Sequence, residues 1–169
     1  TGFSEYLHPL ANDRLLGFGL DAVPAEEIGD GDFSWYQGLQ VSVFDVTDPD
    51  RPGLQDQVLI GRRGSCSSLL LDHHAFTYLP ATQTRSERFV LPLVVNDSGS
   101  PQTDPTFYHP WKYTGFGLFE VDATTHGLSL VDVARLQTSE ANPDHPHYQD
   151  CQGTAARSVL AGDNVYLYQ

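Results

Sequence analysis

The feature that most constrains this sequence is that it repeats itself. Arg14-Leu15-Leu16-Gly17-Phe18 returns as Arg88-Phe89-Val90-Leu91-Pro92, 74 residues later. Trp35-Tyr36 returns in Trp111-Lys112-Tyr113 at an offset of 76, and Gly38-Leu39 in Gly115-Phe116 at 77. Phe44-Asp45-Val46 matches Phe119-Glu120-Val121 at 75, and Gly53-Leu54 matches Gly127-Leu128 at 74. A further copy opens at Asp163-Asn164-Val165-Tyr166-Leu167-Tyr168. A fixed period of this kind signals stacked supersecondary units that bury their faces against one another.

Each copy reads as four short strands. In the first copy they are expected at Glu5–Leu10, Arg14–Gly19, Leu39–Val46 and Leu54–Ile60, where Leu39, Val41 and Val43 alternate with Gln40 and Ser42. In the second copy the strands are expected at Ser67–Leu79, Arg88–Val95, Gly115–Asp122 and Leu128–Leu136. Asn12-Asp13 and the run from Asp48 to Gly53 are turn chemistry. No helical 3.6-residue spacing is sustained, and 15 Gly with 11 Pro suit an all-β chain. Four-stranded antiparallel units in series are the blades of a β-propeller. The expectation is a partial propeller over residues 1–169: blade 1 at about 4–61, blade 2 at about 66–137, and the start of a third blade at about 155–169. A two-sheet sandwich with a chance repeat is the alternative architecture.

The balance of 9 Lys+Arg against 22 Asp+Glu, net −13, argues against nucleic acid and anionic membranes, both of which reward a positive surface. The apolar run from Phe89 to Val95 is interrupted by Pro92 and is too short to span a bilayer. The resemblance to known proteins is carried by Tyr6-Leu7-His8-Pro9-Leu10 leading into Arg14-Leu15-Leu16-Gly17, by Gly38 through Pro49, and by Asp72-His73-His74-Ala75-Phe76. On these residues the chain resembles secreted bacterial and archaeal proteins with a C-terminal β-propeller domain. Glu120 stands where that pattern has Asp, and the tract from Ser139 to Cys151 reads as an insertion. The resemblance implies a secreted or envelope-attached, extracytoplasmic protein. It carries over no catalytic residue.

In such an architecture the second-to-third-strand loops, Leu20–Gln37 and Asn96–Thr114, emerge on one side together with the connectors Gly61–Cys66 and Gln137–Ala155. Function on a rigid β scaffold sits on long loops of this kind. Trp35, Tyr36, Trp111 and Tyr113 are the candidate ligand-binding residues there, since Trp and Tyr supply rigid contact area. The competing role is packing, one anchor per blade. Asp144-His145-Pro146-His147 is the candidate metal site: two imidazoles across an extended proline can converge on a divalent ion. Asp72-His73-His74 is weaker, because neighbours in a strand point to opposite faces and one histidine is expected to be buried. Asp45, Asp48 and Asp50 read as turn formers. Cys66 and Cys151 fall on successive connectors and are a candidate disulfide, with two free thiols as the alternative. No Gly-x-Ser-x-Gly elbow or phosphate loop is present.

The functional reading is a non-enzymatic, exported binding scaffold with no required cofactor. It takes a protein, peptide or carbohydrate partner on the loop side and further blades, of a parent chain or another copy, at its faces. The alternative is a metal-dependent enzyme, or an accessory, substrate-gating domain of a secreted hydrolase.

Overall fold

Alternating apolar residues set the first sheet. The computed structural model describes residues 2–25, 33–99, 103–139 and 157–168. Strands β1 (Phe3–Leu10), β2 (Arg14–Pro24), β3 (Ser34–Asp45) and β4 (Gly53–Ile60) form one antiparallel sheet in chain order. The β1–β2 turn places Asn12 and Asp13 at φ 58° and 52°, a left-handed backbone that Asn and Asp tolerate best after glycine. A second sheet repeats the order with β5 (Thr77–Leu79), β6 (Glu87–Asn96), β7 (Trp111–Val121) and β8 (Leu128–Thr138). A hairpin of β9 (Arg157–Ala161) and β10 (Asn164–Tyr168) follows. The fold is all-β, with blades of the expected kind.

The core lies between the sheets. Leu16 and Phe18 of β2 and Leu39, Val41 and Val43 of β3 pack against Phe89, Leu91, Leu93 and Val95 of β6 and Phe119 of β7. Phe89 and Phe119 stack with centroids 5.0 Å apart, and Phe18 meets Phe89 edge-on at 5.6 Å. The opposite side of the second sheet offers Val90, Phe116 and Leu118 to Leu160, Val165 and Leu167 of the final hairpin. The second sheet therefore presents one side to the first blade and the other to the final hairpin.

The cross-strand register proves the repeat. Pro9, Leu15, Phe44 and Leu54 form one row across the first sheet; Tyr78, Phe89, Phe119 and Leu130 form the same row in the second. Arg14 opposite Asp45 likewise becomes Arg88 opposite Glu120. The matched phenylalanines are thus structurally equivalent. The matched tryptophans are not: Trp111 pairs with Asn96, but Trp35 pairs with Val23, one step beyond the equivalent residue. Irregularities at Leu20/Ala22 and Val95/Asn96 shift the register between them.

Two expectations need correction. The second and third strands run further than expected, so Trp35, Tyr36, Trp111 and Tyr113 lie in strands rather than in loops. The strand expected over Ser67–Leu79 is broken instead. Cys66 pairs with Val94, the chain then makes two 3-10 turns at Ser68–Leu70 and His73–Ala75, and pairing resumes only at Thr77, opposite Val90. Pro92 explains the break. Residues 90, 92 and 94 turn their backbone groups toward the first strand, and proline has no N–H to give. Its carbonyl is satisfied by the Ser67 hydroxyl, which donates at 2.6 Å. The detour seats Leu69 fully in the core.

Candidate functional site

An arginine at the aligned position of the second strand in each four-stranded sheet, Arg14 opening β2 and Arg88 second in β6, builds a joint between blades. The Arg14 guanidinium lies 3.9 Å from the Glu87 carboxylate of the next blade, and both side chains are buried. Glu87 also accepts from the Ala11 N–H at 3.0 Å and the Tyr78 hydroxyl at 3.1 Å. Burial, reinforced by the Glu87 charge, pushes the Tyr78 phenol well above its usual range. Arg88 repeats the arrangement, with Nε on Glu120 at 3.0 Å and Nη1 on Asp163 of the final hairpin at 3.2 Å. At the other edge, Asp56 of β4 accepts from the Leu128 N–H of the second blade at 2.7 Å. These contacts run along the boundary where the apolar faces of the two sheets meet.

On the side where the β2–β3 and β6–β7 connections emerge, a cleft of about 780 Å³ opens between the blades. Its charged and polar wall is Asp21, Gln37, Arg62, Asp97, Asp104 and His109, and Val23, Leu59 and Pro105 supply apolar surface. That volume suits a small molecule or a few residues of an extended chain. The walls are braced from both blades. Gln37 Nε2 of the first blade donates to the Pro105 carbonyl of the second at 3.0 Å, and the Arg62 N–H donates to the Asn96 carbonyl at 2.8 Å.

Electrostatics keep the carboxylates ionised. A hydrogen bond from Lys112, 2.8 Å away, holds Asp97 below the usual carboxylate range. Hydrogen bonds from the Thr106 hydroxyl and N–H do the same for Asp104. His109 is buried, contacts the Ser98 hydroxyl through Nδ1 at 3.0 Å, and packs edge-on against Phe107. Burial, then Arg62, lowers its pKa and favours the neutral imidazole.

Arg63 staples the blades beside this cleft. Its guanidinium sits 4.4 Å from the Tyr108 ring centroid and 5.1 Å from that of Trp35. It donates to the Tyr36 carbonyl at 2.9 Å and to the Tyr108 hydroxyl at 3.3 Å. Of the four aromatic candidates, Trp35 is half-buried against Phe33 and Arg63, and Tyr36 is 53% exposed. Trp111 and Tyr113 are buried, because the lengthened β7 carries them into packing positions. The Trp111 indole donates to the Thr114 hydroxyl at 3.1 Å, and Arg135 covers the Tyr113 ring. These two residues anchor the blade and offer no surface to a ligand. Tyr108, against the Arg63 guanidinium, is 59% exposed. The adjacent Arg62-Arg63, two of only nine basic residues, was the sequence signal for the cleft wall and the staple.

His145, His147 and Cys151 lie outside the described residues. Among the described residues no group of three His, Cys, Asp or Glu side chains could hold a metal ion. His73 and His74 sit in a 3-10 turn rather than a strand, and both are exposed, contrary to the expectation of one buried histidine. His73 stacks on Tyr6 at 4.5 Å, while Asp72 pairs with His74 and with Arg157 of the final hairpin. Cys66 is disulfide-bonded. Asn96, within an Asn-Asp-Ser sequon, is buried with its amide donating to the His109 carbonyl at 2.7 Å, which closes it to glycosylation. Among the described residues no helix is long and apolar enough to cross a membrane.

Four-stranded antiparallel sheets stacked in a repeating register, each joined to the next by the same Arg–acid contact, define the blades of a β-propeller. The chain belongs to the Beta propeller domain family, which it matches over residues 1–169. No curated protein and no solved structure matches it.

Proposed function

We propose that this domain is a non-enzymatic, exported scaffold that binds a peptide segment of a protein partner in the cleft between its two blades. The observation that carries the reading is the cleft itself, with Asp21, Asp97 and Asp104 in its wall and the exposed Tyr36 and Tyr108 one residue along the chain from the lining residues Gln37 and His109. Ionised carboxylates next to aromatic faces suit the cationic side chains of an extended peptide. The net charge of −13 adds long-range attraction for such a ligand. Export is supported by the resemblance of the sequence to secreted proteins and by the disulfide state of Cys66. The partner of Cys66 in this reading is Cys151, the other cysteine of the chain.

A fluorescent Arg/Lys-rich peptide library, screened in parallel with neutral oligosaccharides, tests the reading. A basic peptide should bind, and Asp21→Asn with Tyr108→Ala should weaken it at least about tenfold, the loss of roughly 1.4 kcal/mol. Affinity for a neutral oligosaccharide alone, or peptide binding untouched by that double variant, would reject the peptide reading.

A further inference from the structure

The turn that follows β4 is built to hold one arginine at the cleft. In Gly61-Arg62-Arg63-Gly64-Ser65 both glycines are left-handed, at φ 65° and 104°, a backbone that other residues rarely adopt. The buried Ser65 hydroxyl closes the turn, accepting from the Arg62 N–H at 3.1 Å and donating to the Asn96 carbonyl at 3.2 Å. The Ser65 N–H in turn donates to the Arg62 carbonyl at 2.9 Å. The backbone of Arg62 is therefore fixed on both sides. Arg63 turns to Trp35 and Tyr108, whereas the exposed Arg62 lines the cleft.

The charges of the cleft wall divide into two groups. Asp97 is engaged by Lys112 and by the Gly99 N–H, and Asp104 by Thr106. Among the described residues, the Asp21 carboxylate and the Arg62 guanidinium make no hydrogen bond or ion pair, either with each other or with a third group. Arg62 is also the only Lys or Arg of that wall among the described residues. One unpaired anion and one unpaired cation in a single cleft are complementary to a ligand that carries both signs.

We infer that the peptide bound here is a chain end: a C-terminal Arg or Lys whose side-chain cation meets Asp21 and whose α-carboxylate meets Arg62. The inference rests on the peptide reading above and narrows it. An internal basic residue would satisfy Asp21 and leave the guanidinium without an anion. A C-terminal one brings both charges on one residue, and the planar fork of an arginine matches the two oxygens of a carboxylate. A cleft of about 780 Å³ takes only a few residues, and a chain that ends inside it needs no exit.

N-terminally labelled hexapeptides of one sequence ending in arginine, as the free acid and as the C-terminal amide, test this at one fixed ionic strength. The free acid should bind at least about tenfold more tightly, the scale of a charge-assisted contact. The net charge of −13 favours the more cationic amide, so a preference for the acid reports a local contact. Arg62→Gln should abolish that preference without weakening the amide, and Asp21→Asn should weaken both forms by a similar factor. Equal affinity of acid and amide for the unaltered chain would overturn the inference and leave the peptide reading standing. A preference for the acid that survives Arg62→Gln would do the same, as would an amidated peptide with an internal Arg-Glu step binding as tightly as the free acid. Failure of every basic peptide to bind would overturn both.

Discussion

The two inter-blade joints use the same parts at different depths. Between the first and second blades, Arg14 and Glu87 are 5% and 2% exposed and sit beside the stacked Phe89 and Phe119 rings. Between the second blade and the final hairpin, Arg88 and Asp163 are 26% and 85% exposed and rest over a smaller cluster. The difference teaches that the ion pair marks the interface without being what holds it. Where four strands meet four, apolar burial is large and the charges are trapped; where four meet two, water reaches them and screens the pair.

Truncation of the rings tests this contrast most severely. Phe89→Ala should cost about 3–5 kcal/mol in urea unfolding, because it empties a site enclosed by Phe18, Phe76 and Phe119. Leu15→Ala, at the same register position of the first blade, should cost only about 1 kcal/mol. Similar costs at the two positions would break the comparison. The charges come next. Arg14→Met leaves the Glu87 charge buried without its cation and should cost roughly 3 kcal/mol, whereas Arg88→Met should cost less than about 1 kcal/mol. A large loss at Arg88 would mean that the hairpin joint is tighter than its exposure implies.

The first strands offer a smaller test. Ser67→Ala strips the Pro92 carbonyl of its donor and should cost about 1 kcal/mol, measurable as a lower urea midpoint with unchanged slope. The least effect is expected from pH. Burial lowers the pKa of His8 and His109 in the folded chain, so the unfolded chain takes up protons first as pH drops. Their contribution is complete above the unfolded value near 6.5 and is lost as pH falls from there toward the folded values. The Tm should therefore decline below about pH 6.5. His8→Phe combined with His109→Asn should flatten that decline, and an unchanged slope would remove these histidines from the account.

Much of the platform was legible because period-two alternation and turn residues are local signals. Leu39, Val41 and Val43 marked β3, and Asn12-Asp13 marked the β1–β2 turn. The break between Cys66 and Thr77 was missed although Pro92 was in view. Reading strands one at a time does not ask which neighbour a proline's missing N–H would have faced. The Trp35–Trp111 match misled for a related reason: a bulge shifts register without leaving a mark in the residue pattern. The aromatic side of the cleft was found only in part. Trp111 and Tyr113 are buried strand anchors, Tyr36 is exposed, and Arg63 and Tyr108 come together from segments far apart in the chain.

The detour between Cys66 and Thr77 also has a use for engineering. Because Pro92 has already released the first strand from the ladder, the register of β6 does not depend on how many residues bridge that gap. Its outermost point, at Leu71, is turned to solvent. A foreign peptide spliced in after Leu71 would interrupt the Asp72 N–H to Ser68 carbonyl bond of the turn, but it would ride on the second blade as a passenger with the pairing of β6 and β7 unchanged.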